Sequence, residues 1–243
     1  MKSKILIMVL SLFLLSNYGH RSVAGLSDWL KGTAEKLGAQ KGLSDDEVVK
    51  GLKQALEVGT GNAVTTLSKT DGYFKNPKIK IPLPENVQKA EKLLRATGLG
   101  NKVDEFELSM NRAAERAAPE AKTIFWDAIQ QMSFSDARQI LDGPDNAATR
   151  YFEDKTESRL QKIFKPITHE AMSEVGVTGY YQSIDDKIKT IPFADSMSFD
   201  LDQYVTEKAL DGLYLMLAEE EKKIRQDPAA RVTDLLKKVF ASH

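Results

Sequence analysis

Asn111, Arg112, Glu115 and Arg116 are the cluster in this chain whose types and spacing most suggest a ligand. At about 100° per residue they fall on a single polar arc of one helix. Two guanidinium groups on such an arc could hold a carboxylate or phosphate through paired N–H donors. The same spacing fits a solvated face braced by pairs at i,i+3 and i,i+4, each worth about 0.2–0.5 kcal/mol. The solvated face is the reading we favour. An anion site needs further cations, and Arg138 and Arg150, expected on neighbouring helices, would complete it. Met110, Ala113, Ala114, Ala117 and Ala121 lie behind the arc, and their small size lets another helix approach closely.

Other chemistries find less support. His169-Glu170 lacks the second histidine, four residues on, of a metalloprotease helix. The Glu-x-x-His pattern of di-iron bundles fails because Pro166 stands at the glutamate position. Of three histidines, His20 and His243 lie near the two ends, so no metal site is expected. Asp142-Gly143-Pro144-Asp145-Asn146 does not place its acids as a calcium loop requires. Gly98-Leu99-Gly100 reads as a helix stop, and no Gly-x-Ser-x-Gly elbow is present. No cofactor is expected, and no catalytic residue can be assigned.

The elements that would position these residues are helical. Ser44 and Glu47 form a capping box, with Leu43 and Val48 at the spacing of a hydrophobic staple. Val48, Leu52, Ala55, Leu56, Ala63 and Leu67 then recur on one helical face, and Gly51, Gly59 and Gly61 along it suggest close helix approach or a break. Asp71-Gly72 marks a turn. Residues 76–84 alternate Ile79, Ile81 and Leu83 with Lys80 and Pro82. Prolines at 77, 82 and 84 exclude a helix and leave an edge strand or an arm laid across helices. Further helices are expected from Glu85 onward: one opens at Pro119, and a long one beyond Gly143-Pro144 is broken at Pro166. A looser stretch follows from Gly176 to Met197, before Asp200 caps a helix and Asp227-Pro228 opens the last. The expected fold is all-α, a single domain of about nine or ten helices with one short Pro-rich extended segment.

Composition bounds the setting. Lys2 and Lys4 precede an apolar run from Ile5 to Leu15, and Ser22-Val23-Ala24 follows a polar stretch. That is the layout of a signal peptide cleaved after Ala24, leaving a helical domain over residues 25–243. The run is shorter than the roughly 20 residues of a membrane span. Cleavage would leave a charge of about −4, which favours neither nucleic acid nor anionic lipid. The chain has no cysteine, so disulfides, thiolate chemistry and a lipidated N-terminal cysteine are all excluded, and no stable membrane anchor is expected. Export then means the periplasm, with onward secretion left open.

Six ordered segments carry a resemblance. They are Ile79 to Pro84, Met110 to Glu115, Asp136 to Leu141, Thr149 to Phe152, Ala209 to Leu213, and Glu220 to Pro228. In order and spacing they resemble the bacterial exported proteins of domain-of-unknown-function family 4197. The resemblance implies an exported, helical bacterial protein and brings no catalytic residues with it. The expected function is a soluble binding or interaction protein without catalysis, with a small anionic ligand or a protein as partner. A hydrolase using carboxylates and arginines on a sugar or phosphate ester is one rival, which needs two carboxyl groups roughly 5–9 Å apart in a cleft. A periplasmic lipid or amphiphile carrier is the other, and it needs an apolar cavity or patch.

Overall fold

The computed structural model describes residues 44–174, 177–189 and 200–231, with Thr233, Asp234, Lys237 and Val239 beyond them. The signal segment, Leu43 of the predicted staple and most of the last predicted helix lie outside the described residues. The helices are α1 (Asp45–Leu67), α2 (Glu85–Ala96), α3 (Gly100–Ala117), α4 (Ala121–Gln131) and α5 (Phe134–Leu141). They continue as α6 (Ala147–Glu174), α7 (Val177–Lys189) and α8 (Leu201–Gln226). Short 3-10 turns at Ala118–Glu120 and Pro228–Ala230 join them, and no strand occurs among the described residues. The fold is all-α.

Local chemistry sets several boundaries. At α1 the Ser44 hydroxyl accepts the Glu47 amide while Glu47 reaches back to the Ser44 amide. Ser133 and Asp136 repeat this box at α5. The Asp200 carboxylate accepts the Gln203 amide at 2.9 Å to start α8, and Asp227 accepts the Ala229 amide at 2.8 Å beyond its end.

Two expectations need correction. Pro166 does not interrupt its helix: α6 runs through it to Glu174. The ring lacks the N–H that would bond the Lys162 carbonyl, but both residues are exposed, so water can satisfy that oxygen. The stretch after Gly176 is not loose throughout, because Val177–Lys189 is helical. Ile184 is fully buried and Tyr181 meets Phe106 at 6.0 Å, so packing on α3 stabilises a helix of weak local signal.

Helix α6 is the axis of the domain, lying against α3, α4, α5, α7 and α8. Its antiparallel register with α8 is fixed by three polar contacts. The Thr149 hydroxyl donates to Glu221, Thr156 meets the Tyr214 hydroxyl at 3.0 Å, and Thr168 meets Thr206 at 3.1 Å. Between them lies a dry core, in which Phe125 packs edge-on to Phe152 at 5.0 Å with Tyr214 beyond.

Residues 71–84 form the arm, and it is not a strand. Asp71 sits at φ 69°, Gly72 closes a turn on the Lys69 carbonyl, and the chain runs irregularly over α3 and α8 to Pro84. The alternation read from sequence holds, with Ile79, Ile81 and Leu83 buried and Pro82 exposed. Tyr73 anchors the arm, fully buried, its hydroxyl donating to the Ala209 carbonyl at 2.7 Å.

Glycine positions give a direct test. A Cβ at Gly212 would lie 2.7 Å from Tyr73 Cε1 and 3.2 Å from Ile79 Cβ, whereas one at Gly61 meets nothing within 4 Å. Gly212→Ala gains up to about 1 kcal/mol of helix propensity but forces overpacking that costs about 1–3 kcal/mol. Tyr73 is bonded and cannot step aside, so the clash dominates. In urea unfolding, Gly212→Ala should lower stability and Gly61→Ala should raise it by about 0.5–1 kcal/mol. A stabilised Gly212→Ala would show that the arm yields at Tyr73.

Candidate functional site

The arc on α3 is covered. Asn111 is fully buried beneath the arm and treats its backbone as a neighbouring strand would. The Ile81 amide donates to Asn111 Oδ1 at 2.8 Å, and Asn111 Nδ2 donates to the Ile81 carbonyl at 2.9 Å. A second proton of Nδ2 reaches the Glu107 carbonyl at 2.8 Å, so the amide is fully used.

Glu115 is buried one turn further along. Its Oε1 accepts the Tyr73 and Phe74 amides at 3.0 and 3.2 Å, and Oε2 accepts Arg112 at 2.6 Å. The Arg112 guanidinium donates also to Asp71 at 2.6 Å and lies over the Phe74 ring, whose face Lys80 shares at 4.8 Å. Burial, with Glu115 nearby, raises the Tyr73 phenol well above its ordinary range. This set holds the arm down.

The remaining expected anion ligands are dispersed. Arg116 is exposed and pairs with Glu174 and Glu170 at the far end of α6. Arg138 reaches Asp45 at the start of α1, 2.5 Å away, and stacks on Phe134. Arg150 is exposed on α6 near Glu153. The structure therefore joins Asn111, Arg112 and Glu115 in one clamp and leaves Arg116, Arg138 and Arg150 apart.

A second buried carboxylate, unassigned from sequence, does the same work at α6. Glu221 on α8 accepts the Ala148 and Thr149 amides, each at 2.9 Å, and the Thr149 hydroxyl. Arg225 donates to Glu221 at 3.0 Å and to the Ile140 carbonyl at 2.7 Å. Glu221 thereby caps α6 from another helix, and Arg225 ties in the end of α5.

Depressions mark the surface of the described residues. A groove of about 530 Å³ runs between α6 and the start of α8, where Lys165 is held by Asp200 at 2.6 Å and His169 by Asp202 at 2.8 Å. One of about 430 Å³ lies between α1 and α8, where Asn62 and Lys223 are both on Glu220. A smaller one, of about 160 Å³, lies between α4, α5 and α6. It is lined by Asp127 and Gln131 of α4, Asp136 of α5, and Tyr151, Lys155 and Arg159 of α6. Arg159 bonds Asp127 across it at 2.7 Å, and the Tyr151 hydroxyl donates to the Ala128 carbonyl at 3.0 Å. Lys155 carries no ion pair or hydrogen bond among the described residues. The Ser133 hydroxyl and amide hold the Asp136 carboxyl below the usual range, with Lys155 adding to the effect.

Among the described residues no group of three or more histidine and acidic side chains is placed to hold a metal, and no helix is long and apolar enough to cross a membrane. No buried side-chain nitrogen or oxygen among them lacks a hydrogen-bond partner.

An all-α domain built on two buried carboxylate clamps is thus the class defined by fold and site. Over residues 42–241 the chain matches the family described as protein of unknown function (DUF4197), and it belongs to that family. No curated protein and no solved structure matches it.

The clamp and the caps make separable predictions. Asn111→Ala strands the buried Ile81 amide and carbonyl, and should cost about 2–4 kcal/mol in urea unfolding. Arg116→Ala breaks an exposed pair and should stay within about 0.5 kcal/mol. Equal effects would mean that the arm is not held by Asn111. Acid titration tests the caps. Asp136 is lowered by Ser133, and Asp200 by Lys165 and the Gln203 amide. A depressed folded pKa contributes stability that is present above the unfolded value, about 3.9 for Asp, and is lost as pH falls through the folded one. The melting temperature should hold above pH 5 and drop below pH 4, and the drop should be smaller in Asp136→Asn and Asp200→Asn. An unchanged drop in both variants would refute their part in it.

Proposed function

We propose that this chain is an exported, non-catalytic binding protein of the bacterial periplasm, holding a small polar ligand in the cleft between α4, α5 and α6. The observation that carries this reading is the placing of Lys155, which makes no hydrogen bond or close ion pair among the described residues, across that cleft from the Asp127 and Asp136 carboxylates. The larger α6–α8 groove is lined by Lys162 as well as by Lys165 and His169, but its one carboxylate, Asp202, is on His169, so it does not set open donors and open acceptors on facing walls. Export is supported by the basic head, the Ile5 to Leu15 run and Ser22-Val23-Ala24.

The cleft favours binding over its rivals. A hydrolase of the two-carboxyl kind needs one group raised to act as acid, and here Asp136 is lowered. A lipid carrier needs an apolar wall, and the cleft is walled chiefly by charged and amide side chains. A protein partner is the second reading, favoured by Trp126 of α4, which stands 49% exposed.

Both parts can be tested on protein recovered from the periplasmic fraction. N-terminal sequencing should begin at Gly25, and an intact Met1 in the cytosolic fraction would overturn export. Native mass spectrometry should show an added mass of a small molecule that is lost on denaturation. A bare chain refutes the small-ligand reading, and a bound second polypeptide would replace it with the protein-partner one.

A further inference from the structure

We infer that the α4–α6 cleft takes a small zwitterion, a molecule of amino-acid type with a carboxylate and an ammonium group close together. This rests on the binding reading above and adds the ligand's chemistry. The cleft presents both signs of charge from facing helices, and each sign keeps unused hydrogen-bonding capacity. On α6, Lys155 and Arg159 stand one turn apart. Lys155 acts on Asp136 only through its field, with no hydrogen bond or close ion pair among the described residues, and Arg159 uses only Nη2, on Asp127 Oδ2. A ligand carboxylate can therefore take donors from both without breaking the Asp127 pair.

The opposite wall accepts hydrogen bonds. Both bonds from Ser133 to Asp136 fall on Oδ2, which leaves Oδ1 open, and Arg159 likewise leaves Asp127 Oδ1 open. Asp127 stands on α4 and Asp136 in the first turn of α5. An ammonium group is suited to that wall, and a simple anion would meet two carboxylates there.

Size narrows the class. A cavity of about 150 Å³ holds a ligand of roughly six heavy atoms such as benzene. The cleft, at about 160 Å³, suits a molecule of the size of alanine or serine. Tyr151 and Thr156 close the inner end: the Tyr151 hydroxyl is on the Ala128 carbonyl, and Thr156 is held between the Phe152 carbonyl and Tyr214. A longer side chain has room only outward.

The test is calorimetric titration of the dialysed periplasmic protein with L-serine, ethanolamine and lactate, the last two each lacking one of the two charged groups. L-serine should bind at least tenfold tighter than either. Lys155→Gln and Asp136→Asn should each weaken it at least tenfold, with Lys162→Gln unchanged, and circular dichroism should show all three folded. If Asp136→Asn unfolds, Asp127→Asn serves in its place. Lactate binding as tightly as serine would make this an anion site and overturn the inference. An added mass in the native spectrum that persists in Lys155→Gln would overturn it too, while sparing the binding reading. No binding of any probe, together with a bare native mass, removes both.

Discussion

The fold depends on a buried charge. Burying a carboxylate costs several kcal/mol unless it is paired with a cation and each oxygen accepts a hydrogen bond. Glu115 meets that condition by accepting two consecutive backbone amides and a guanidinium. The same bonds answer a problem posed by the arm. Its prolines prevent it from pairing as a central strand, yet its apolar residues draw it into the core, where each amide and carbonyl needs a partner. Side chains of α3 supply them, Glu115 at Tyr73 and Phe74 and Asn111 at Ile81. The apolar burial and the polar clamp are therefore one device. Without Glu115, the segment that brings Tyr73 onto Ala209 and Ile79 onto Gly212 would have to leave its amides dry.

Glu221 repeats the solution at the other long helix pair. The start of α6 lies where free amides of the first turn would otherwise be buried, and a carboxylate from α8 takes two of them. In each case an arginine on the carboxylate's own helix completes the set, Arg112 three residues before Glu115 and Arg225 four after Glu221. Thr149 and Thr156 on α6 face Glu221 and Tyr214 on α8, seven residues apart on both helices, and Thr168 meets Thr206 further along. Apolar packing alone would tolerate a slip along such an interface. Polar pairs that must all be satisfied select one register.

Local signals were legible in the sequence and distant ones were not. Ser44 with Glu47, Asp200, and the Asp71-Gly72 turn act within four residues, so their chemistry can be read from spacing. The prolines at 77, 82 and 84 excluded a helix, and the Ile79–Ile81–Leu83 alternation identified the buried side. The clamp was different. Arg112 and Glu115 at i,i+3 look the same on a solvated face as under an arm, because the deciding partners lie about 40 residues earlier. Glu221 was hidden in an ordinary charge run, and its amides lie 72 and 73 residues away. Pro166 misled for a related reason: the rule that proline breaks a helix weighs only the local loss, and α6 carries the proline on its exposed side while its other face packs along its length.

The cleft explains why spacing pointed elsewhere. Lys155 and Arg159 are a commonplace i,i+4 pair, and Asp127 and Asp136 belong to two other helices, so no sequence pattern links them. The residues that did form patterns did so because architecture uses strong local motifs, and that use leaves them occupied. Asn111 has no free proton and Glu115 is buried with three bonds already made, so both are committed to holding the arm. On the proposed reading, a ligand would meet side chains with weaker local logic, carried on rigid helices and short of a close partner. Helix α6 provides both conditions. Its inner face is locked to α8 by threonine contacts and its start is held by Glu221, so Lys155 and Arg159 stand at a fixed spacing over α4. A site built this way demands little motion of the backbone, and the ordering left to oppose binding is that of the Lys155 and Arg159 side chains.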